Sequence, residues 1–217
     1  MNITVEQTME MPDVVLFARK LDVALKAEQK KRDHFYKTVD ENRKMEFING
    51  EIFFQSPVKK HHNSAMLAIA KLLDTFVNKH RLGYVGVEKI LVSLTRNDYE
   101  PDICFFGTEK ANDFESRQMQ FPAPDFVVEI LSTSTERHDR ETKFQDYAAH
   151  GVSEYWIVDA ESEKVEQYLL HHDYYKLEGK SGDGVIKSVA VKGFQIPIRA
   201  IFDVAENLSA LTRIISD

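Results

Sequence analysis

A chain of 217 residues, 43% hydrophobic and 29% charged, is long enough to bury a good core and has the balance of an ordinary globular protein. Its formal charge of −7 excludes a uniformly basic surface, so any contact with nucleic acid has to use a local patch. One cysteine excludes an intrachain disulfide, and the polar N-terminal residues and the lack of any run of about 18 apolar residues argue against a signal peptide and a membrane span, so a reducing, cytoplasmic location is expected.

Residues Asp13 to Tyr36 carry a helical pattern, with Val14, Val15, Phe17, Ala18, Leu21, Ala24 and Leu25 on one face and Pro12 suited to the first turn. The second half, K-A-E-Q-K-K-R-D-H, interleaves acids with bases and reads as a solvated face. Met45 to Gln55 then alternate around Asn49 and Gly50, and Asn-Gly between apolar residues predicts a tight hairpin because both turn positions need positive φ. Glu51 opens the second strand beside Phe53, either as a solvent-facing acid or as a third carboxylate near a site.

A helix is predicted from His62 to His80, with Gly83 ending it. Lys59, Lys60, His61 and His62 gather at its start, where free N–H groups and the positive dipole end suit an anion; a solvated loop is the alternative. The adjacent histidines lack the spacing of a helical zinc pair. Y-V-G-V and K-I-L-V-S-L read as strands up to Leu94, and residues 107–123 form a polar loop of the kind that carries specificity. E-Y-W-I-V-D is a further buried strand, K-V-E-Q-Y-L-L and Y-Y-K-L an antiparallel pair, Val185 to Ala190 a short strand, and the last residues a short helix.

The chemistry-bearing stretch lies between Tyr99 and Gly151. Y-E-P-D-I-C-F-F-G and P-D-F-V-V-E-I-L are two apolar strands that each carry an acid, and the helix from about Glu136 to His150 carries Lys143. Side chains alternate along a strand, so Asp102 shares a face with Cys104 and Phe106, and Glu129 shares one with Asp125, Val127 and Leu131. Paired strands would aim both acids to one side. Asp after proline is commonly only a turn residue, but Glu129 lies inside a run too apolar for a solvated edge, and a buried carboxylate needs a partner. Cys104 reads as a buried thiol. Two acids at an open site favour magnesium or manganese, which point to metal-assisted attack of water on a phosphodiester. Lys143 borders the packed face of Phe144, Tyr147 and Ala148, where it either snorkels to water or points back toward the acids.

The order N-G-E, S-P, H-N, P-D, P-D-F-V-V-E-I-L-S-x-S-T, D-R-x-x-K-x-x-x-Y and G-V-x-E-Y-W-I-V-D resembles the Uma-type restriction endonuclease family of the PD-(D/E)XK nuclease superfamily over roughly residues 40 to 205. The resemblance implies an α/β, restriction-endonuclease-like core of α-β-β-β-α-β order, with a mixed central sheet flanked by helices. Residues 1–39 are then an N-terminal helical extension and residues 40–217 the nuclease domain. Asp102 and Glu129 match the family's acids. The superfamily's E-x-K spacing would put lysine at position 131, where this chain has Leu131, and Lys143 on the next helix is the matching residue. Glu51 and His62 match further family positions. The implied mechanism has Asp102, Glu129 and the Ile130 carbonyl holding magnesium, with Lys143 orienting or helping to deprotonate water. DNA is the expected substrate and a homodimer the expected assembly by analogy. A non-catalytic nucleic-acid-binding or assembly protein is the second reading, and a phosphohydrolase of small nucleotides the third.

Overall fold

The computed structural model describes residues 4–39 and 43–216. The boundary expected between residues 39 and 40 falls against residues 40–42, which lie outside the described residues.

A short helix α1 (Val5–Met9) and a long helix α2 (Val14–Thr38) lead into the hairpin β1 (Met45–Ile48) and β2 (Glu51–Phe54). Asn49 and Gly50 both have positive φ, 51° and 85°, as the Asn-Gly turn requires. Helix α3 (Lys60–His80) follows, then β3 (Gly83–Val87), β4 (Leu91–Ser93), β5 (Asp98–Tyr99) and β6 (Ile103–Gly107). Next come α4 (Thr108–Ala111), β7 (Gln120–Phe121), β8 (Phe126–Ile130), a π-helical turn (His138–Thr142) and α5 (Lys143–Ala149). The chain closes with β9 (Glu154–Asp159), β10 (Lys164–His171), β11 (Tyr174–Ser181), β12 (Val185–Lys187), β13 (Gln195–Pro197), α6 (Arg199–Phe202) and α7 (Val204–Ser216). The left-handed residue that ends α3 is Arg81, φ 55°, rather than Gly83, which opens β3.

The main sheet has the order β11-β10-β9-β8-β6-β3. All its pairs are antiparallel except β8 with β9. A parallel pair needs a long crossover, and here it carries the π-helical turn and α5. The elements α3, β3, β6, β8, α5 and β9 therefore reproduce the expected α-β-β-β-α-β order. Strands β3 and β4, which read as neighbours in sequence, separate at Glu88, where φ is 59°. The second of them joins a smaller sheet of order β2-β1-β5-β4-β7. The segment after Val185 pairs with β13 alone and does not extend the main sheet.

Alternation along the strands splits the core in two. Ile103, Phe105, Phe126, Val128 and Trp156 pack in one cluster with α3 residues such as Leu72 and α6 residues such as Ile201. Cys104, Phe106, Val127, Tyr155 and Ile157 face the other way, toward Tyr147 of α5 and Ile48 of the smaller sheet. Asp102 and Glu129 continue this second face.

Helix α2 departs from its sequence pattern. Its apolar N-terminal residues, among them Val15, Phe17, Leu21 and Leu25, are exposed, whereas the charged half docks through two buried residues. Phe35 packs on Phe47, ring centroids 5.8 Å apart. Arg32 donates to both oxygens of Asp98, at 2.6 and 2.9 Å, and to the carbonyl oxygens of Leu94 and Thr95. A stripe of apolar residues identifies a face without identifying its partner, and here one guanidinium with five donors holds the helix. Breaking a buried pair leaves a stranded charge, so Arg32→Ala is expected to cost about 3–5 kcal/mol. Leu21→Ser should stay within about 0.5 kcal/mol. Urea unfolding of both variants checks this, and a loss below about 1 kcal/mol for Arg32→Ala would show that the pair is not what holds α2.

Candidate active site

The register Ile103↔Val128 brings the residue before β6 beside the end of β8. Asp102 and Glu129 meet there: the Asp102 N–H donates to Glu129 Oε2 at 3.4 Å, and the Ile130 N–H donates to Asp102 Oδ2 at 2.8 Å. Lys143, at the start of α5, does not snorkel. It is 1% exposed and reaches back over the sheet to donate to Glu129 Oε1 at 3.0 Å. Its Nζ is also 2.9 Å from Glu46 Oε1 and 3.2 Å from Asp139 Oδ1, and lies 5.7 Å from the centroid of the Tyr99 ring. The Tyr147 hydroxyl donates to Glu129 Oε1 at 3.3 Å.

His62, on the first turn of α3, is buried with Nε2 3.3 Å from Asp102 Oδ2. Its Nδ1 is buried without a hydrogen-bond partner. Lys44 donates to Asp102 Oδ1 at 2.8 Å. A cavity of about 320 Å³ opens on this group, with Lys59, His61 and His62 as well as Glu136, Asp159 and Glu161 among its lining residues.

The structure thus brings Asp102, Glu129, Ile130, Lys143 and His62 together and leaves Glu51 apart. Glu51 is solvent-exposed at the hairpin end, 3.3 Å from Lys31 Nζ. On that same face of the hairpin it is Glu46, opposite Phe53, that enters the cluster. Glu46, Lys44 and Asp139 were not singled out from sequence. Glu46 carried the same signal as Glu129, an acid inside an apolar strand, and Asp139 lies one helical turn before Lys143, at i,i+4 spacing. Lys44 carried none.

Four carboxylates, Glu46, Asp102, Glu129 and Asp139, face two ammonium groups, and burial decides how they ionise. Burial alone would raise Asp102, but Lys44 and His62 outweigh it and hold the acid below the usual aspartate range. Burial raises Glu129 to about 8, with Asp139, Asp102 and Glu46 adding to the rise and Lys143 opposing it. Burial likewise raises Asp139. Burial would lower Lys143, but Glu129, Glu46 and Asp139 overcome it and keep this lysine an ammonium well above its ordinary pKa. Four carboxylates against two ammonium groups, with Glu129 and Asp139 raised by burial, describe a site short of positive charge. Among the described residues no group of three or more His, Cys, Asp or Glu side chains is arranged to hold a metal ion. The Asp102 and Glu129 pair instead supplies the one or two hard oxygen donors with which magnesium is commonly held while it keeps its waters, so the residues fit that ion.

Known proteins bear on this geometry. The family described as Uma2, "Putative restriction endonuclease", matches residues 32–199. Two Synechocystis relatives are similar: uncharacterized protein sll1609, 26% identical over 127 residues (58% of this chain, 71% of that one), and uncharacterized protein slr1290, 30% identical over 139 residues (61% and 70%). A crystal structure of "a putative nuclease belonging to DUF820" from Anabaena variabilis superimposes with a TM-score of 0.68 at 18% identity, covering 82% of this chain and 97% of that one. That likeness bears on the fold, and it agrees with the restriction-endonuclease-like architecture expected from sequence. Among the described residues no helix is long and apolar enough to cross a membrane.

The carboxylates give opposite pH dependences. Glu129 has a folded pKa of about 8 against 4.5 for an ordinary glutamate, so its contribution to stability is greatest below pH 4.5 and is lost as pH rises toward 8. Asp102, depressed in the folded state, contributes above the ordinary aspartate range and loses that contribution on acidification. Glu129→Gln should therefore gain stability relative to the unaltered protein between pH 4.5 and 8. Urea unfolding across that window tests this, and a difference that stays constant with pH would contradict the raised pKa.

Proposed function

Because the chain belongs to the Uma2 restriction endonuclease family, we propose that it is a metal-dependent endonuclease that hydrolyses phosphodiester bonds of DNA. The observation that carries the reading is the convergence of Asp102, Glu129 and Lys143 beside an open cavity. Asp102, Glu129 and the carbonyl of Ile130 are the groups that would hold magnesium or manganese. A divalent cation there lowers the pKa of a bound water and offsets charge gathering on the phosphate.

The chain's own residues divide the remaining work. Lys143, which its three acids favour as an ammonium, would orient water and stabilise negative charge. Asp139 and Glu46 fix its position from two further elements. His62, held at Nε2 by Asp102, lines the cavity and would help to position that acid. Lys59 and His61 would meet flanking phosphates beside the uncapped N-terminus of α3.

Lys44 on Asp102 Oδ1 favours keeping a second reading, a nucleic-acid-binding protein that does not cut, because this ammonium already meets one of the acids. Nicking of supercoiled plasmid in magnesium or in chelator separates the two. Cleavage should require the cation and fall at least about 100-fold in Glu129→Ala and in Asp102→Ala, in line with the loss of a preorganised charge at a reacting centre. Unchanged cleavage in Glu129→Ala would remove the assignment, and binding without cleavage by the unaltered protein would favour the second reading.

A further inference from the structure

The larger cavity of the protein is elsewhere. It has a volume of about 640 Å³ and lies where β3, the start of β4, the β5–β6 connection and the loop after α4 meet. Three rings form one wall. Tyr84 and Phe121 lie nearly parallel, 10° apart in plane with centroids at 6.2 Å, and Phe114 stands across both at 89° and 85°. Tyr84 is 40% exposed and Met119 59% exposed, so the wall opens to solvent. Its polar lining includes Glu100, itself buried and raised by that burial to about 7 against the charge of Lys89, together with Lys89, Glu115, Ser116 and Gln118. The Met45 N–H donates to Glu100 Oε2 at 2.8 Å, which fixes the carboxylate.

We propose that this cavity, bordered by Tyr84, Phe114, Met119, Phe121, Lys89 and Glu100, seats one unpaired guanine base of the nucleic-acid substrate. Aromatic faces with one or two convergent polar groups recognise a base turned out of its stack, by stacking and by bonds to its pairing edge. The polar pair selects among bases. Guanine presents two adjacent donors, N1–H and the N2 amino group, which suit a carboxylate, beside the O6 acceptor, which suits an ammonium. No other common base sets two donors next to an acceptor in that order.

The position supports the assignment. Glu100 is two residues before Asp102, which keeps their Cα atoms within about 7 Å. The Glu100 N–H donates to Glu46 Oε1 at 3.0 Å, and that oxygen is 2.9 Å from Lys143 Nζ. Glu100 of the base seat is therefore one hydrogen bond from the acidic cluster. Phe114 and Met119 come from the polar loop 107–123, the segment whose composition suggested specificity.

The inference rests on the nucleic-acid part of the proposed function, and its test does not score cleavage. Binding of labelled oligothymidylate is compared by fluorescence anisotropy, in chelator, with the same strand carrying one central guanine, adenine or abasic position. The guanine strand should bind about 10-fold tighter than the other three, the range expected of one stacked and hydrogen-bonded base. Tyr84→Leu and Glu100→Gln should each return it to the oligothymidylate level, with thermal melting followed by circular dichroism to verify the fold. Met119→Ala, at the exposed mouth, should lose about threefold without touching the core. Equal binding of all four strands, absence of binding, an adenine strand bound as well as guanine, or a preference that survives Tyr84→Leu and Glu100→Gln would each overturn the seat. A protein that prefers guanine but does not cut keeps the seat and loses the endonuclease reading; one that cuts without preference loses only the seat.

Discussion

One ammonium group shared by three carboxylates sets the terms for the rest of this molecule. Lys143 Nζ lies within 3.2 Å of Glu46, Glu129 and Asp139, and all four side chains are buried. In water such an arrangement would contribute little; away from it, each charge is costly unless its neighbours are in place. The three acids come from β1, β8 and the π-helical turn, so no local segment can form the cluster by itself. It exists only when the smaller sheet, the main sheet and the crossover are assembled, and truncating one member strands the others.

The topology meets this requirement economically. Antiparallel pairing of β6 with β8 sets Asp102 beside Glu129, and parallel pairing of β8 with β9 forces a crossover whose helix must return over the same face. The π-helical turn precedes α5, and Asp139 and Lys143, four residues apart across it, form an ion pair. Turns of this kind recur at functional sites because the wider ring re-aims the side chains around it. The Asn-Gly hairpin does the corresponding job for Glu46: the register Glu46↔Phe53 carries that acid toward the lysine and leaves Glu51 beside the turn.

Much of this was legible in the sequence because the signals were local. Strand periodicity located β8 and its acid, the Asn-Gly turn located the hairpin, and the apolar run around Glu129 already demanded a partner. What escaped depends on pairing between distant segments. Glu46 and Glu51 lie on the same hairpin face, and only the approach of β1 to β5 and α5 distinguishes them. Helix α2 makes the same point from the opposite side: its apolar stripe was visible, yet the contact is made by Arg32 and Phe35 in the half that read as solvated. Lys44 lies outside any regular element, and a lysine there has no pattern from which its partner can be read.

A net charge of −7 does not fix the field inside the cavity that opens on the cluster. A cavity concentrates the field of the residues that line it, so local sign matters more than the sum over the surface. Here both signs are present: Lys59, His61 and the N-terminus of α3 line the cavity together with Glu136, Asp159 and Glu161. The start of α3 carries Lys59 and His61 of that lining, and His62 on the same turn lies beside Asp102. At the cluster four carboxylates face two ammonium groups, so the site is short of positive charge, and burial meets part of that shortfall by raising the pKa values of Glu129 and Asp139.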